Sequence, residues 1–174
     1  MLISVILNCL NGENFLKRSI ESVLNQTFDV FEIVFIDNGS SDQSGQIAKA
    51  YGSKIRYYRN EITSTLGQAR DQGIMLAKGD LIAFIDADDM WKSDKIEKQM
   101  KLFDSGISFV FSNAEMSEGR GKKFILFDYA MPRINSIFNS LLEKDFITTS
   151  SVMFKKDVYI NSIEKYNKNL TIEC

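Results

Sequence analysis

The sequence predicts an α/β fold in which a mostly parallel central sheet is flanked by helices. Three observations predict it: short apolar runs, helix-spaced apolar residues between those runs, and polar residues directly after several of them. Runs and helical segments alternate as they do in β-α-β units. Right-handed crossovers then bring the carboxyl ends of the parallel strands to one edge of the sheet. The 174 residues suffice for one domain with a substantial core.

The predicted strands are the apolar runs. The first, at 2–7, is nearly continuous, which is typical of a strand buried on both faces of a parallel sheet. The remaining strands are expected at 31–36, 55–58, 81–85, 107–111, 124–127 and 151–154. A charged loop that contains glycine is expected at 118–123, before the strand at 124–127.

The predicted helices carry apolar residues at the spacing of an amphipathic helix. Ser64 or Thr65 is expected to cap the third helix, and the Lys78-Gly79 pair to end it. The helices are expected at 15–26, 42–51, 65–77, 94–103 and 134–142.

Composition excludes several classes of function. The chain has no histidine, so a histidine-based nucleophile pair, general base or metal ligand is excluded, and acid–base work falls to other side chains. A formal net charge of −2 gives no electrostatic case for nucleic-acid binding. The two cysteines, Cys9 and Cys174, make a disulfide framework or a structural zinc site implausible and favour a reduced, cytoplasmic setting.

The apolar run at the start of the sequence is too short to span a bilayer, and no basic leader precedes it. It is therefore interpreted as a buried strand and not as a signal peptide. Peripheral association with a membrane stays open, because a small basic or aromatic patch would not alter the overall composition.

Polar residues collect after three of the predicted strands, at 8–13, 37–42 and 86–89. Ligands of open α/β sheets bind outside the carboxyl ends of the strands. The sequence therefore predicts a binding site where these three segments meet.

The sharpest of the three segments is Asp86-Ala87-Asp88-Asp89. Carboxylates this close repel one another, and a hard divalent cation such as Mg²⁺ or Mn²⁺ relieves that repulsion by taking oxygen ligands from carboxylates and from substrate phosphates. Asp88 is the first choice of metal ligand and Asp86 the second, with Asp86 nearer the nucleotide. Asp89 is either a ligand or a helix cap, and capping is the structural alternative for the whole cluster.

Five further residues have two interpretations each. Asp37 accepts hydrogen bonds from a nucleobase or sugar, or from the amides of its own turn, and Asp42 is more simply a turn residue. Arg70 is a solvated charge or forms a buried ion pair, for instance with Asp37. Glu13 is a first-turn helix acid or a site residue. Trp91, the only tryptophan, belongs to the core or stacks on a sugar.

Four segments together resemble the family 2 glycosyltransferases, the inverting group of GT-A fold that uses nucleotide-diphosphate sugars. The resemblance is dense over the first hundred residues, and a later segment, SSVMFKKDVY at 150–159, resembles the strand and turn after the family's acceptor region. The four segments are SVILNCLNGENFLKRSIESVLNQTF at 4–28, EIVFIDNGSSDQS at 32–44, GQARDQGIMLAKGDLIAFIDADDMW at 67–91 and SDKIEKQ at 93–99.

The resemblance implies roles for the polar residues at the strand ends. Asp88 would hold Mn²⁺ or Mg²⁺, and Asp86 would contact the ribose or the diphosphate. Asp37 and Asn38 would face the base, normally uracil in this group. The expected nucleotide pocket consists of Asn8, Asn11, Glu13, Asp37, Asn38, Arg70 and Asp86.

The resemblance also implies an activity. The expected function is metal-dependent, inverting transfer of a sugar from a nucleotide-diphosphate sugar, normally a UDP-sugar, to a glycan, capsule, lipopolysaccharide-type or lipid-linked acceptor. The enzyme would work in the cytoplasm, at the inner face of the membrane. Residues 1–112 would bind the donor, and 113–174 would be an incomplete acceptor-side part of the same domain.

The sequence departs from the family's pattern at several positions. Leu10 stands where a tyrosine usually lies near the base, Asn38 replaces a second aspartate, and Asp71 replaces an asparagine. The catalytic base of the family is an aspartate in a later Glu-Asp motif, and here only Glu173 lies near that position, as a weak candidate. The sequence is therefore interpreted as truncated at its C-terminus, and the alternative function is a nucleotide-sugar-binding fragment without transferase activity.

Overall fold

The computed structural model describes residues 1–29, 32–103, 105–118, 122–126 and 147–163. Short 3-10 segments lie at Gly52–Lys54 and Thr149–Ser151, and the latter is called the 149–151 turn below. The elements in chain order are β1 (Ile3–Cys9), α1 (Glu13–Leu24), β2 (Glu32–Asp37), α2 (Ser44–Lys49), β3 (Ile55–Arg59), α3 (Leu66–Leu76), β4 (Leu81–Asp86), α4 (Lys95–Phe103), β5 (Phe109–Val110), β6 (Glu115–Glu118), β7 (Lys122–Ile125), β8 (Met153–Lys155) and α5 (Lys156–Ile163).

A mixed, mostly parallel sheet forms the centre of the described part of the chain. Its strand order is β3-β2-β1-β4-β8-β5. Strands β1 to β4 pair in parallel, and β8 runs antiparallel to both β4 and β5. The predicted fold class is thereby confirmed, with one reversed strand near the sheet edge.

Alternate side chains of β1 point into two separate apolar layers, as strand geometry requires. Val5 and Leu7 face a layer that includes α1, α2 and α4, whereas Ile6 faces the layer built on α3. Because both layers are apolar, β1 is buried along its whole length. This explains why its sequence is a nearly continuous apolar run and not an alternating one.

Later in the chain, the elements differ from the prediction. β5 is only two residues long because it lies at the sheet edge and pairs only with the short β8. Of the segment expected to be a loop, Glu118 instead ends β6, and Lys122 and Lys123 begin β7. The two strands pair antiparallel, and Lys123 Nζ lies 2.7 Å from Glu115 Oε1. Residues 119–121 lie outside the described residues. The helix expected at 134–142 lies outside the described residues.

Two glycines of α3 allow a matched test of how closely this helix packs on the sheet. A Cβ at Gly73 would collide with Cγ2 of Ile6, whereas a Cβ at Gly67 would meet nothing within 4 Å. We therefore expect Gly73→Ala to lower the free energy of unfolding by about 1–3 kcal/mol. Gly67→Ala should raise it by about 0.5 kcal/mol, since alanine favours helix. Urea denaturation followed by circular dichroism measures both, and equal effects would contradict the packing described here.

Candidate functional site

The three polar segments meet at the carboxyl edge of the sheet, as predicted. In the strand register Asn8 lies opposite both Ile36 of β2 and Asp86 of β4, and Cys9 lies opposite Asp37. Because neighbouring residues of a strand face opposite sides, Asn8 and Asp86 lie on the α3 side, and Cys9 and Asp37 lie on the α1 side. The polar residues thus separate into two groups with different surroundings.

On the α1 side, Asp37 is a fully buried carboxylate with several partners. It accepts hydrogen bonds from the Ser40 amide at 2.8 Å, from the Tyr57 hydroxyl at 2.5 Å and from Arg59 at 2.9 Å. Burial alone raises the pKa of Asp37, but these hydrogen bonds and the charge of Arg59 outweigh it, and the net pKa lies below its ordinary value. Asp37 therefore holds the turn after β2. This matches the second of its two interpretations, in which it accepts hydrogen bonds from the amides of its own turn.

The partner of Arg70 corrects one expectation from the sequence. Arg70 donates to Asp86 Oδ1 at 2.9 Å and not to Asp37. The reason is that Arg70 and Asp86 share the α3 side of the sheet, whereas Asp37 faces the other side. The cation beside Asp37 is Arg59, which lies opposite Asp37 in the β2–β3 register.

Asn11, Glu13 and Asp42 connect the starts of α1 and α2. Asn11, with a φ of 55°, accepts a hydrogen bond from the Ser41 amide at 2.8 Å. Glu13 accepts from the Gln43 amide at 2.9 Å, and its own amide donates to Asp42 at 3.0 Å. These side chains therefore bind backbone and fix two loops at the rim of the site.

Asn38 also binds a neighbouring segment. Its Oδ1 accepts hydrogen bonds from the Ser64 amide at 3.1 Å and from the Asn60 side chain at 3.1 Å, and its Nδ2 donates to the Ser64 carbonyl at 2.8 Å. Thr65, which follows Ser64, forms the predicted cap of α3 in a capping box with Gln68. Asn38 thus fixes the segment that leads into α3.

Asn8 has an unsatisfied polar atom. It is only 8 % exposed, and its Oδ1 is buried without a hydrogen-bond partner, the single such side-chain atom in the described ranges. A buried polar atom without a partner costs about 1–3 kcal/mol. It lies on the same side of the sheet as Asp86, where a ligand at the carboxyl edge could bond to it.

The three aspartates after β4 have different surroundings. Asp86 pairs with Arg70, as described above. Asp89 is exposed as a residue, but its carboxylate is partly buried, and its Oδ2 accepts a 2.5 Å hydrogen bond from the Ser150 hydroxyl. Burial, with the charges of Asp88 and Asp86, raises the pKa of Asp89 although this hydrogen bond lowers it. Asp88 is exposed, and no hydrogen bond or ion pair among the described residues occupies its carboxylate.

This arrangement determines what kind of cation site is possible. In the described part of the chain, no three histidine, cysteine, aspartate or glutamate side chains are placed to hold a metal ion together. The described residues alone therefore do not form a complete set of metal ligands. The exposed carboxylate of Asp88, which no other described residue bonds, fits a Mg²⁺ or Mn²⁺ ion that takes its other ligands from phosphate oxygens and water.

Trp91 belongs to the core, so the core interpretation is confirmed. It is 8 % exposed, and its Nε1 donates to the Ser150 carbonyl at 2.7 Å. Ser150, like Tyr57 and Arg59, is a residue at this edge of the sheet that the sequence analysis missed, because its contacts with 86–91 join positions about 60 residues apart. No local pattern reveals such a contact.

A second opening lies at the opposite edge of the sheet. This cavity of about 740 Å³ is lined by residues that include Lys78, Asp80, Lys155 and Lys156. None of the predicted site residues lines it, and ligands of α/β sheets bind at the carboxyl ends of the strands. The carboxyl edge therefore remains the candidate site.

Among the described residues, the helices are all too short or too polar to cross a bilayer.

This chain is similar to parts of several longer proteins. An *Escherichia coli* protein named UDP-Glc:alpha-D-GlcNAc-diphosphoundecaprenol beta-1,3-glucosyltransferase WfgD is 34% identical over 117 residues, which are 66% of this chain and 46% of that protein. The first curated relatives are covered over only 24% to 55% of their own length. The chain thus spans about half of these proteins or less.

Solved structures show the same fold. *Staphylococcus aureus* TarS 1-349 in complex with UDP-GlcNAc matches with a TM-score of 0.78 at 21% identity, over 94% of this chain and 48% of that one. The mannosyltransferase PcManGT from *Pyrobaculum calidifontis*, in complex with GDP-Man and Mn²⁺, matches with a TM-score of 0.67 at 15% identity, over 91% and 46%. The expected GT-A fold is confirmed. The model of the family described as Glycosyl transferase family 2 matches residues 4–161, and the chain belongs to this family.

Proposed function

We propose that this chain forms the donor-binding part of a metal-dependent, inverting glycosyltransferase that uses a UDP-sugar. The observation that carries the proposal is the exposed carboxylate of Asp88, which no other described residue bonds. It follows two residues after Asp86, which pairs with Arg70 at the same sheet edge as Asn8 Oδ1, an atom without a partner among the described residues. The names of similar proteins support it, since TarS was solved with UDP-GlcNAc and PcManGT with Mn²⁺.

Each residue has a distinct part in the proposal. Asp88 would hold the cation together with the donor's diphosphate, and the bound cation would neutralise charge on that leaving group. Asp86, oriented by Arg70, would face the ribose or the diphosphate. Asn8 would accept a hydrogen bond from the nucleotide. Asn38 would shape the wall of the pocket through the segment that it fixes.

The remaining expected pocket residues act indirectly in this proposal. Asn11, Glu13 and Asp37 hold the loops at the rim, since their side chains are bound to neighbouring backbone and side-chain groups. In this proposal Asn11, Glu13 and Asp37 position the loops, and the residues that contact the nucleotide directly are Asn8, Arg70 and Asp86.

The proposed transfer is a displacement at the sugar's anomeric carbon. The bond from that carbon to the diphosphate oxygen breaks, a bond to the acceptor oxygen forms on the opposite face, and the acceptor's proton passes to a carboxylate base. We assign residues 1–112 to the donor side and 113–174 to the acceptor side. Glu173, the weak candidate for the base, lies outside the described residues.

The acceptor we propose is a lipid-linked glycan presented at the cytoplasmic face of a membrane. The support is the printed name of the *E. coli* relative, whose substrate is a diphosphoundecaprenol-linked sugar. An acceptor of this kind needs no membrane-spanning helix in the enzyme, only access to the membrane surface.

A thermal-shift screen tests the donor proposal. The chain is heated with UDP-glucose, UDP-GlcNAc, dTDP-glucose or GDP-mannose, each with Mn²⁺ and each with a chelator. A ligand at 100 times its Kd adds about 2.7 kcal/mol to the stability of the folded state, which raises the Tm by about 5–10 °C for a chain of this size. We expect this shift with a UDP-sugar and Mn²⁺ together. Equal melting in all conditions would contradict the proposal.

A transfer assay with the same chain separates the two hypotheses drawn from the sequence. Release of UDP that requires an acceptor would show transferase activity and exclude the fragment that only binds. Binding of the donor without transfer would favour that fragment.

A further inference from the structure

Lys95 in α4 is a buried amine with no carboxylate partner in the described part of the chain. It is 8 % exposed, its Nζ donates to Gln99 Oε1 at 3.0 Å, and it lies 3.9 Å from the centre of the Trp91 ring. Burying an ammonium group is costly unless other groups compensate for the lost water. A methionine would fill similar space without that cost, so the amine itself needs an explanation.

The amine determines the orientation of the Gln99 side chain. The Lys95 Nζ donates to Gln99 Oε1, so the amide oxygen of Gln99 faces the amine. The donor Nε2 of Gln99 then faces the other way, and it donates to the Ser151 carbonyl at 2.8 Å. If the amide were reversed, its oxygen would face that carbonyl and the hydrogen bond would be lost.

Trp91 binds the preceding carbonyl of the same turn. Its Nε1 donates to Ser150, so two consecutive carbonyls of the 149–151 turn are held from the α4 side. On its other side, the Ser150 hydroxyl donates to Asp89 and accepts a 2.9 Å hydrogen bond from the Asp86 amide. A continuous series of contacts therefore runs from Lys95 to the acidic loop at 86–89.

We propose that Lys95 is a positioning residue, which acts through Gln99 and the 149–151 turn to hold the acidic loop so that Asp88 faces outward. This inference rests on the proposed function, which assigns Asp88 to the binding of the cation. Lys95 itself does not touch the donor. Its effect reaches the cation only through the hydrogen bonds on Ser151, Ser150 and Asp89.

The test compares Lys95→Met and Gln99→Met with the double variant. The matched control is Lys98→Met, on the same helix but 70% exposed. Calorimetric titration of UDP with Mn²⁺ is done at a temperature where circular dichroism shows each variant folded. We expect each single variant to weaken binding about tenfold, or 1.4 kcal/mol. The double variant should weaken it no further, because both residues act through one contact.

Amide hydrogen exchange provides a second measurement that needs no ligand. The Asp86 amide donates to Ser150, so its exchange should become about tenfold faster in Lys95→Met, while the amides in the middle of β1 keep their rates. Unchanged exchange at Asp86, or a uniform increase across the sheet, would overturn the positioning role. Unchanged UDP affinity in the folded variants would also overturn it.

The two measurements distinguish the failure of this inference from the failure of the proposed function. If the wild-type chain binds no UDP with Mn²⁺ but the Asp86 amide responds to Lys95→Met, the donor site is wrong and the contact series stands. If the wild type binds UDP normally and neither measurement responds, the inference about Lys95 is wrong.

The pH dependence of stability provides a further prediction for the same residue. Burial lowers the pKa of Lys95 to about 7, far below that of an unfolded lysine. Between these two values the unfolded chain binds the extra proton, so Lys95 makes folding more favourable as the pH rises from 7 towards 10. The measured quantity is the unfolding equilibrium constant of the wild type divided by that of Lys95→Met. This ratio should fall by up to about tenfold as the pH rises from 8 to 9. Parallel pH profiles of the two proteins would contradict the low pKa.

Discussion

Asp88→Asn is expected to remove most of the gain in UDP affinity that Mn²⁺ provides. The neutral amide keeps the size of the side chain but is a much poorer ligand for a hard cation. We expect the Kd for UDP in the presence of Mn²⁺ to rise about 100-fold, which is about 2.7 kcal/mol of binding free energy. Because Asp88 is exposed and bonded to no other described residue, the Tm of the free protein should stay unchanged.

The matched control for this prediction is Asp94→Asn. Asp94 is also a partly exposed aspartate, six residues further along, but its carboxylate pairs with Lys98 on the outside of α4. Calorimetric titrations of UDP with Mn²⁺ and with a chelator should give wild-type affinity for this variant. If Asp88→Asn bound as tightly as Asp94→Asn, the cation would not be held at Asp88.

Asp37→Ala is expected to be the most destabilising substitution at the site. It would remove a fully buried carboxylate and leave Ser40, Tyr57 and Arg59 without their acceptor. Removing one partner of a buried, hydrogen-bonded charge pair costs about 3–5 kcal/mol, and the partly exposed Arg59 places this case near the lower end. Urea denaturation measures the loss.

Two further variants bracket the expected size of this loss. Tyr57→Phe removes one of the hydrogen bonds on Asp37 and should cost about 1 kcal/mol. Glu61→Ala, at an exposed position in the segment after β3, should change the stability by less than about 0.5 kcal/mol. If Asp37→Ala cost no more than Tyr57→Phe, the carboxylate would not be the centre of this network.

The same network has a defined pH dependence. The pKa of Asp37 is lower in the folded protein than in the unfolded chain. Its contribution is therefore complete above the unfolded value and is lost as the pH falls through the lower, folded value. The difference in stability between the wild type and Asp37→Ala should accordingly shrink below about pH 4. A difference that stayed constant to pH 2 would contradict the lowered pKa.

Strands β1 to β4 and the meeting of the polar segments at one sheet edge were predictable because they depend on local patterns. The nearly continuous apolar run at the start of β1 follows from burial on both faces, and polar residues at the ends of β1, β2 and β4 come together at the carboxyl edge. The capping box at Thr65 and Gln68 is likewise local, within four residues. Such features need no knowledge of which elements pack together.

The partners of the site residues were not predictable in this way. Arg70 pairs with Asp86 and not Asp37 because the two aspartates face opposite sides of the sheet, which depends on where each strand ends. Ser150 contacts Asp89, which lies 61 residues away in the sequence. Ser150 belongs to the turn before β8, and the sequence pattern did not define the place of β8 beside β4 in the sheet. The buried Lys95 sits in a segment rich in charged residues, and only the packing distinguishes it from Lys98.

The most direct test of the donor site is the place at which Mn²⁺ binds with UDP. In a nuclear magnetic resonance spectrum of the labelled chain, Mn²⁺ added with UDP broadens the amide signals of residues near the ion. The account predicts broadening at Asn8 and at 86–89, with Lys78 and Lys156 unaffected. Broadening at Lys78 and Lys156, around the cavity at the opposite edge, or no localised broadening at all, would contradict it.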